Sequence, residues 1–209
     1  ANQAAVEFPG VERVVSCTVV LAHGVTPNVS TIEVAAQDPI GLGGTLRLQW
    51  GDVLIELPDC RVDSASFQFD QAGRLVAFQI LDRRWKWQFP VVSGYWNLRT
   101  DDGKIIKRLV GNPNFGIDNT EKSPQDAARI LFDALGETDY DVSALPDDAR
   151  PALEWDLKSA AQALAELCEM FNCRVCLGLD NRARIVLVGE GHELPDGAIL
   201  DFQSALDPP

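Results

Sequence analysis

Two histidines, five cysteines and 31 acidic residues are the groups from which this 209-residue sequence would have to build any chemistry. His23 lies in the turn-rich run His23-Gly24-Val25-Thr26-Pro27-Asn28, and His192 lies within Gly189 to Pro195. Neither is close in sequence to a Ser or Cys motif of the nucleophile-elbow type, so a hydrolytic triad is not expected. No GxxxxGK[ST] or GxGxxG motif occurs, and Gly41-Leu42-Gly43-Gly44 lacks the lysine and the preceding strand that a phosphate cradle needs. Glu154 and Asp156, flanking Trp155, resemble a glycosidase pair, where two carboxyls stand about 5 or 6.5–9.5 Å apart. Among 31 acids such pairs arise by chance, and no environment that would perturb these two is legible in the sequence. Cys168, Cys173 and Cys176 match part of the plant-type iron–sulfur spacing. No fourth cysteine follows, and an x-x separation on a strand turns two thiols to opposite faces. Together with Cys17 and Cys60 they form an odd set, read as reduced thiols used mainly as small apolar residues. No enzyme, cofactor or metal site is expected.

Asp82-Arg83-Arg84-Trp85-Lys86-Trp87-Gln88-Phe89 is the most unusual stretch, mixing three cations with three aromatics. Read as a strand, it points Arg84, Lys86 and Gln88 one way and Trp85, Trp87 and Phe89 the other. That pattern fits a half-buried strand, and it also fits a subunit interface, where Trp and Arg are enriched as anchors. Tyr95 and Trp96 follow closely. Arg83, Arg84, Trp85, Lys86, Trp87, Tyr95 and Trp96 are therefore the candidate contact residues. The tryptophans leave a second use open: Trp50, Trp85, Trp87, Trp96 or Trp155 as stacking platforms of a carbohydrate- or receptor-binding module, with packing as the alternative.

Hydrophobic residues make up 46% and charged residues 23%, ordinary for a globular chain. A chain of this size buries about 70% of its unfolded surface without disulfides. No apolar run approaches the roughly 20 residues that span a bilayer. Ala1 to Pro9 has no signal-peptide pattern, so synthesis in the cytoplasm is expected. Charge divides unevenly: residues 1–120 hold 11 Lys+Arg and 13 Asp+Glu, residues 121–209 hold 7 and 18. An acidic half cannot release phosphate counterions, so tight DNA binding is not expected.

The chain reads in two parts. Val14 to Ala22 and Ser30 to Ala36 form a hairpin pattern, and Thr45 to Trp50, Val53 to Leu57, Arg61 to Phe69 and Leu75 to Leu81 are further strands, with breaks at Pro58-Asp59 and elsewhere about every ten residues. The expected fold class is α+β, mainly β. Residues 1–111 form an antiparallel β-barrel or sandwich, and residues 112–209 a small domain of two helices and a β-hairpin, with Asn112 to Lys122 at the boundary. Ser123-Pro124-Gln125-Asp126 caps a first helix that Gly136 ends. The acidic linker Glu137 to Pro151 carries Asp139, Asp141, Asp147 and Asp148. Ser159-Ala160-Ala161-Gln162 fits a capping box for a second helix with the stripe Ala163, Leu164, Leu167, Met170 and Phe171. Arg174 to Leu179 and Arg182 to Val188 pair around Asp180-Asn181.

This element order resembles the tail hub family of tailed bacteriophages, which includes the baseplate hub and late-control-D proteins. The resemblance is carried by Thr26 to Ile32, Leu46 to Val62, Val76 to Trp85, Ser123 to Gly136, Ser159 to Cys173 and Val175 to Val188. It implies a virion structural protein forming a homotrimeric ring at the distal end of the tail tube. Its partners would be the tube or distal tail protein, the tape measure and spike or fibre proteins. DNA would slide past without specific binding, and Asp139, Asp141, Asp147 and Asp148 are candidates for an acidic lumen that repels phosphates. An acidic surface that simply keeps the protein soluble explains them equally. The hub part of a type VI secretion spike protein resembles the same fold. Family members carry a second barrel, and Leu206-Asp207-Pro208-Pro209 reads as the start of more chain. The expectation is a portion of a longer polypeptide, with a further segment beginning after residue 195.

Overall fold

The computed structural model of the chain describes residues 4–35, 40–50, 53–105, 108–112, 115–118 and 121–189. Alternation of β-branched and polar residues produces six strands: β1 (Ala4–Glu7), β2 (Val14–Val19), β3 (Val29–Ala35), β4 (Gly43–Trp50), β5 (Val53–Phe69) and β6 (Leu75–Leu81). They form one antiparallel sheet in the order β1-β4-β5-β6-β3-β2. Inward residues, among them Ile32, Val34, Leu46, Val62, Phe78 and Ile80, make its core. Residues of both edges, Ala5 and Val6 on β1 and Cys17 and Val19 on β2, line one groove, so the sheet curls until its edges face each other. Among the described residues the two edges do not pair, so the curl stops short of a closed barrel.

Pro58-Asp59 does not break the strand, contrary to the sequence pattern. Leu57 pairs with Leu46 and Cys60 with Gly44, so two residues of β5 oppose Thr45 alone. The proline, which has no N–H for a ladder, sits in this bulge, and Asp59 takes φ 56° to turn the chain. β5 thus continues, leaving β4 for β6 at Arg61. A second irregularity between Asp63 and Gln68 is mended by a side chain: the Ser66 hydroxyl accepts from Gln79 N at 2.7 Å and donates to Asp63 O at 2.6 Å.

Arg83–Gln88 is a 3₁₀ helix, not the strand its alternation predicts. The Asp82 side chain accepts from Arg84 N and so starts a turn. In a 3₁₀ helix residues three apart eclipse, which puts Arg84 and Trp87 on one side, both buried. β7 (Val91–Trp96) then leaves the first sheet and pairs with β11 (Leu153–Ser159). Between them come β8 (Arg108–Asn112) paired with β9 (Phe115–Asp118), α1 (Pro124–Leu135) and β10 (Tyr140–Asp141). α2 (Ala160–Met170) and the hairpin of β12 (Cys173–Leu177) and β13 (Ala183–Leu187) complete the chain's described part, with β10 parallel to β13.

The second core runs from Trp87 and Val92 through Leu131, Phe132, Leu164, Leu167 and Ile185. α1 has the expected capping box of Ser123 and Asp126, and Gly136 closes it at φ 78°. α2 has half of one: Ser159 Oγ accepts from Gln162 N, but the Gln162 side chain reaches forward to Glu166 instead of back. Met170 is exposed, and Cys168 takes the inward place. The hairpin turn is a five-residue loop, closed by Gly178 N donating to Arg182 O, rather than a two-residue one. Among the described residues no helix is long and apolar enough to cross a membrane. His192, the chain beyond residue 189 and the Trp50 side chain lie outside the described residues.

Candidate functional site

The 3₁₀ segment is where the two cores meet, and its charges are spent on holding them together. Arg84 has no exposed surface and Asp82 only 4%. The Asp82 carboxylate accepts from Asn28 N at 3.1 Å, Arg84 N at 3.0 Å, Arg84 Nε at 3.1 Å and Arg84 Nη2 at 2.7 Å. Arg84 Nη1 donates to the carbonyls of Ala22 (3.1 Å) and Gly24 (2.7 Å). A buried ion pair needs its remaining lone pairs and protons satisfied, and this one is clasped to the β2–β3 loop for that purpose. On another side, Arg83 Nη2 and Trp87 Nε1 donate to the two oxygens of Glu137, just past α1, at 2.7 and 2.8 Å. On a third, Lys86 pairs with Asp59 at 2.9 Å and Trp85 Nε1 donates to Asp59 O at 2.9 Å. One short helix therefore fastens the β2–β3 loop, the β5 bulge and the end of α1.

The seven candidate contact residues separate accordingly. Arg84 and Trp87 are interior, and Arg83 is largely covered by Glu137. Trp96 packs on buried Trp155 with ring centres 4.6 Å apart, over the bare backbone of Gly94. Trp85, Lys86 and Tyr95 remain in reach of a partner. The Arg61 guanidinium lies 4.7 Å over the Trp85 ring, whose edge contact is Phe89 at 6.0 Å. Phe89 is 69% exposed. These side chains, with Pro27, Asp63 and Gln88, line a shallow groove of about 310 Å³. Tyr95 stands apart from it on the β7–β11 ribbon, opposite Glu154.

The four acidic candidates are also unequal. Asp139 pairs with Arg182 at 3.0 Å. Asp141 accepts from Ser143 N at 2.9 Å, and that bond, the Ser143 hydroxyl and the nearby Arg182 and Arg184 hold its carboxyl below the usual range. Asp147 and Asp148 are exposed on the loop after β10. Cys168 and Cys173 are buried, while Cys176 looks out from the opposite face of β12, as the x-x spacing requires. Among the described residues no group of three or more His, Cys, Asp or Glu is placed to hold a metal ion.

Two features had no legible signal. One is the Asp82–Arg84 pair, whose meaning depends on carbonyls about 60 residues earlier in the chain. The other is Asn97, fully buried at φ 56°, which donates to Lys122 O and Pro151 O and accepts from Lys122 N. An Asn after a strand is common, and nothing local marks this one as a clasp.

No family model matches the chain, and no curated protein matches its sequence. Its fold, however, has solved counterparts. The chain is similar to the 43 kDa tail protein of prophage MuSo2 from Shewanella oneidensis, with a TM-score of 0.55 and 11% identity. The likeness covers 92% of this chain and 57% of that protein. A tail protein from Neisseria meningitidis MC58 superposes with a TM-score of 0.48 and 12% identity, over 87% of this chain and 49% of that one. Prophage tail protein gp18 from Listeria monocytogenes EGD-e gives 0.42 and 7%, over 81% and 43%. The chain spans a little over half the length of the Shewanella protein, and at such identities the likeness is one of fold.

Proposed function

We propose that the chain is a structural, non-enzymatic part of a bacteriophage tail, acting as the hub that joins the distal end of the tube to the tip or spike. The observation that carries this reading is the fold likeness to the Shewanella prophage tail protein over 92% of the chain. The site geometry supports it, because the charged and aromatic residues of the 3₁₀ segment build a rigid platform. Trp85, Lys86 and Phe89 rim its accessible side, and an aromatic beside cations is the usual anchor of a protein interface. In this reading copies of the protein assemble as a trimer, with contacts through that rim and Tyr95. Asp147 and Asp148 face the conduit and keep DNA from adhering, an effect salt screens beyond roughly 10 Å.

Purified tails and light scattering test it. Antibody labelling should mark the distal end of the tail, and the complete polypeptide should scatter as three copies. A protein absent from washed tails, or monomeric at tens of micromolar, overturns the reading. Phe89→Glu with Tyr95→Ala, both exposed, should dissociate the ring while leaving each subunit folded.

A further inference from the structure

The five free thiols are not chemically equivalent. Burial pushes the Cys60 thiol up to about 11 and the Cys168 thiol up to about 12. Cys173 faces the second core. Cys17 lies in the apolar groove between β1 and β2, and burial raises it as well. Cys176 differs in its contact: its Sγ is 3.0 Å from His23 Nδ1. The two residues are 153 apart in sequence and meet across the seam between the curled sheet and the α+β part.

The geometry is held from both sides. Gly24 N donates to Val175 O at 2.7 Å, tying the loop that carries the imidazole to β12, and Arg84 Nη1 donates to Gly24 O. The charged groups around the pair are Arg84, Arg174 and Glu169, with the Asp82 carboxylate already committed to Arg84. Desolvation raises the Cys176 thiol, and Arg84 and Arg174 oppose that rise. A standing thiolate is therefore not what the site offers. It offers a thiol with a base beside it, the arrangement that activates a sulfur nucleophile at the moment of attack. His23, but not Cys176, also lines a neighbouring cavity of about 330 Å³, whose wall includes Cys168, Glu169, Cys173 and Arg174. Its rim carries one cation and one carboxylate, matching a small molecule with a carboxylate and an ammonium.

We propose that Cys176 is a modification site, thiolated by a small zwitterionic disulfide with His23 as the proton acceptor. The Sγ proton passes to Nδ1 as sulfur attacks one sulfur of the disulfide RS–SR. A new S–S bond forms to Cys176 and the old one breaks. The departing RS⁻ then takes the proton from the imidazolium and leaves as RSH. The disulfide is the oxidant, and one R–S group is transferred. The adduct would replace the thiol–imidazole contact at the seam.

The test treats the complete polypeptide with cystine and follows each cysteine by peptide mass mapping. The first adduct should form at Cys176. His23→Gln should slow Cys176 about tenfold or more at neutral pH, while the slower reaction of Cys17 reports an unchanged fold; general bases supply up to about 10²–10⁴-fold. Arg174→Ala should slow cystine but not the uncharged 2-hydroxyethyl disulfide. First modification at any other cysteine, Cys168 and Cys173 of the cavity wall included, or a Cys176 rate in His23→Gln within about twofold of wild type, overturns the proposal. The order of modification in the wild-type protein decides the matter even if a variant misfolds.

Discussion

Replacing Arg84 with Met removes a buried charge while keeping most of the side chain's length, so the loss is electrostatic rather than a matter of volume. Asp82, 4% exposed, would keep its bonds from the N–H groups of Asn28 and residue 84 but lose the guanidinium at 2.7 and 3.1 Å. The carbonyls of Ala22 and Gly24 would lose their shared donor. Breaking one side of a buried pair costs about 3–5 kcal/mol, and each carbonyl left dry adds about 1–3 kcal/mol unless water reaches it. The loop lies near the surface, so water reaches the carbonyls and the first figure decides: Arg84→Met should cost about 3–5 kcal/mol, against a total of about 5–15 kcal/mol for a domain. With a urea slope of about 2 kcal/mol/M the midpoint falls by about 2 M. Adding Asp82→Asn removes the orphaned charge, so the double variant should be less destabilised than the sum of the singles. A loss under about 1 kcal/mol for Arg84→Met, or simple additivity, refutes the idea that this pair fastens the junction.

Gly94→Ala should cost about 1–3 kcal/mol, read by thermal melting, because the new Cβ falls inside the Trp96 ring and pushes it off Trp155. Asn97→Ala should cost about 2–4 kcal/mol by denaturant titration, since it orphans part-buried groups at Lys122 and Pro151 and places a Cβ residue without a polar side chain at φ 56°. Acid should destabilise in a defined window. Burial pushes the Asp126 carboxyl up, but its bonds with Ser123 and the charges of Arg129 and Lys122 together hold it below the usual range; Ser143 does the same for Asp141 and Arg184 for Asp180. Such groups bind protons more readily in the unfolded chain, so their contribution is complete above about pH 4 and drains as pH falls through the depressed values. Calorimetry from pH 5 to 2 should show the melting temperature falling, less steeply for Asp126→Asn. Alkali acts through the thiols: Cys60 and Cys168, raised to about 11 and about 12, favour the fold fully below about pH 9, and that support is lost as pH climbs toward those values.

The elements whose signals are local were legible in the sequence. The β2–β3 hairpin, both helices with their N-caps, and the α+β, mainly β class follow from alternation, three-and-four spacing and capping residues. What failed was the meaning of residues whose partners are remote. Pro58-Asp59 has the composition of a turn, and only the count of residues opposite Thr45 shows it to be a bulge within one strand. His23 and Cys176 are unremarkable in their own segments, and 153 residues separate them. Trp96 looks like a surface anchor until Gly94 and Trp155 are seen to seat it.

The run from Asp82 to Phe89 shows why its alternation misleads. A strand and a 3₁₀ helix differ in period, two against three, and only the period of two separates the cations from the aromatics; the period of three puts Arg84 with Trp87 and Lys86 with Phe89. The choice falls to the first residue: the Asp82 carboxylate accepts from Arg84 N, which a ladder would otherwise claim, and simultaneously binds the Arg84 guanidinium. Once that turn is set, Trp87 is carried inward beside Arg84 and reaches Glu137, while Trp85 is carried outward onto Arg61. The same step therefore stabilises the junction and decides which aromatic a partner can meet. It follows that Asp82→Ala should change the accessibility of Trp85 and Trp87 together. In tryptophan fluorescence Trp87 should become open to acrylamide quenching. If its quenching stays that of a buried indole while stability drops, the capping residue supports the fold without choosing the segment's conformation.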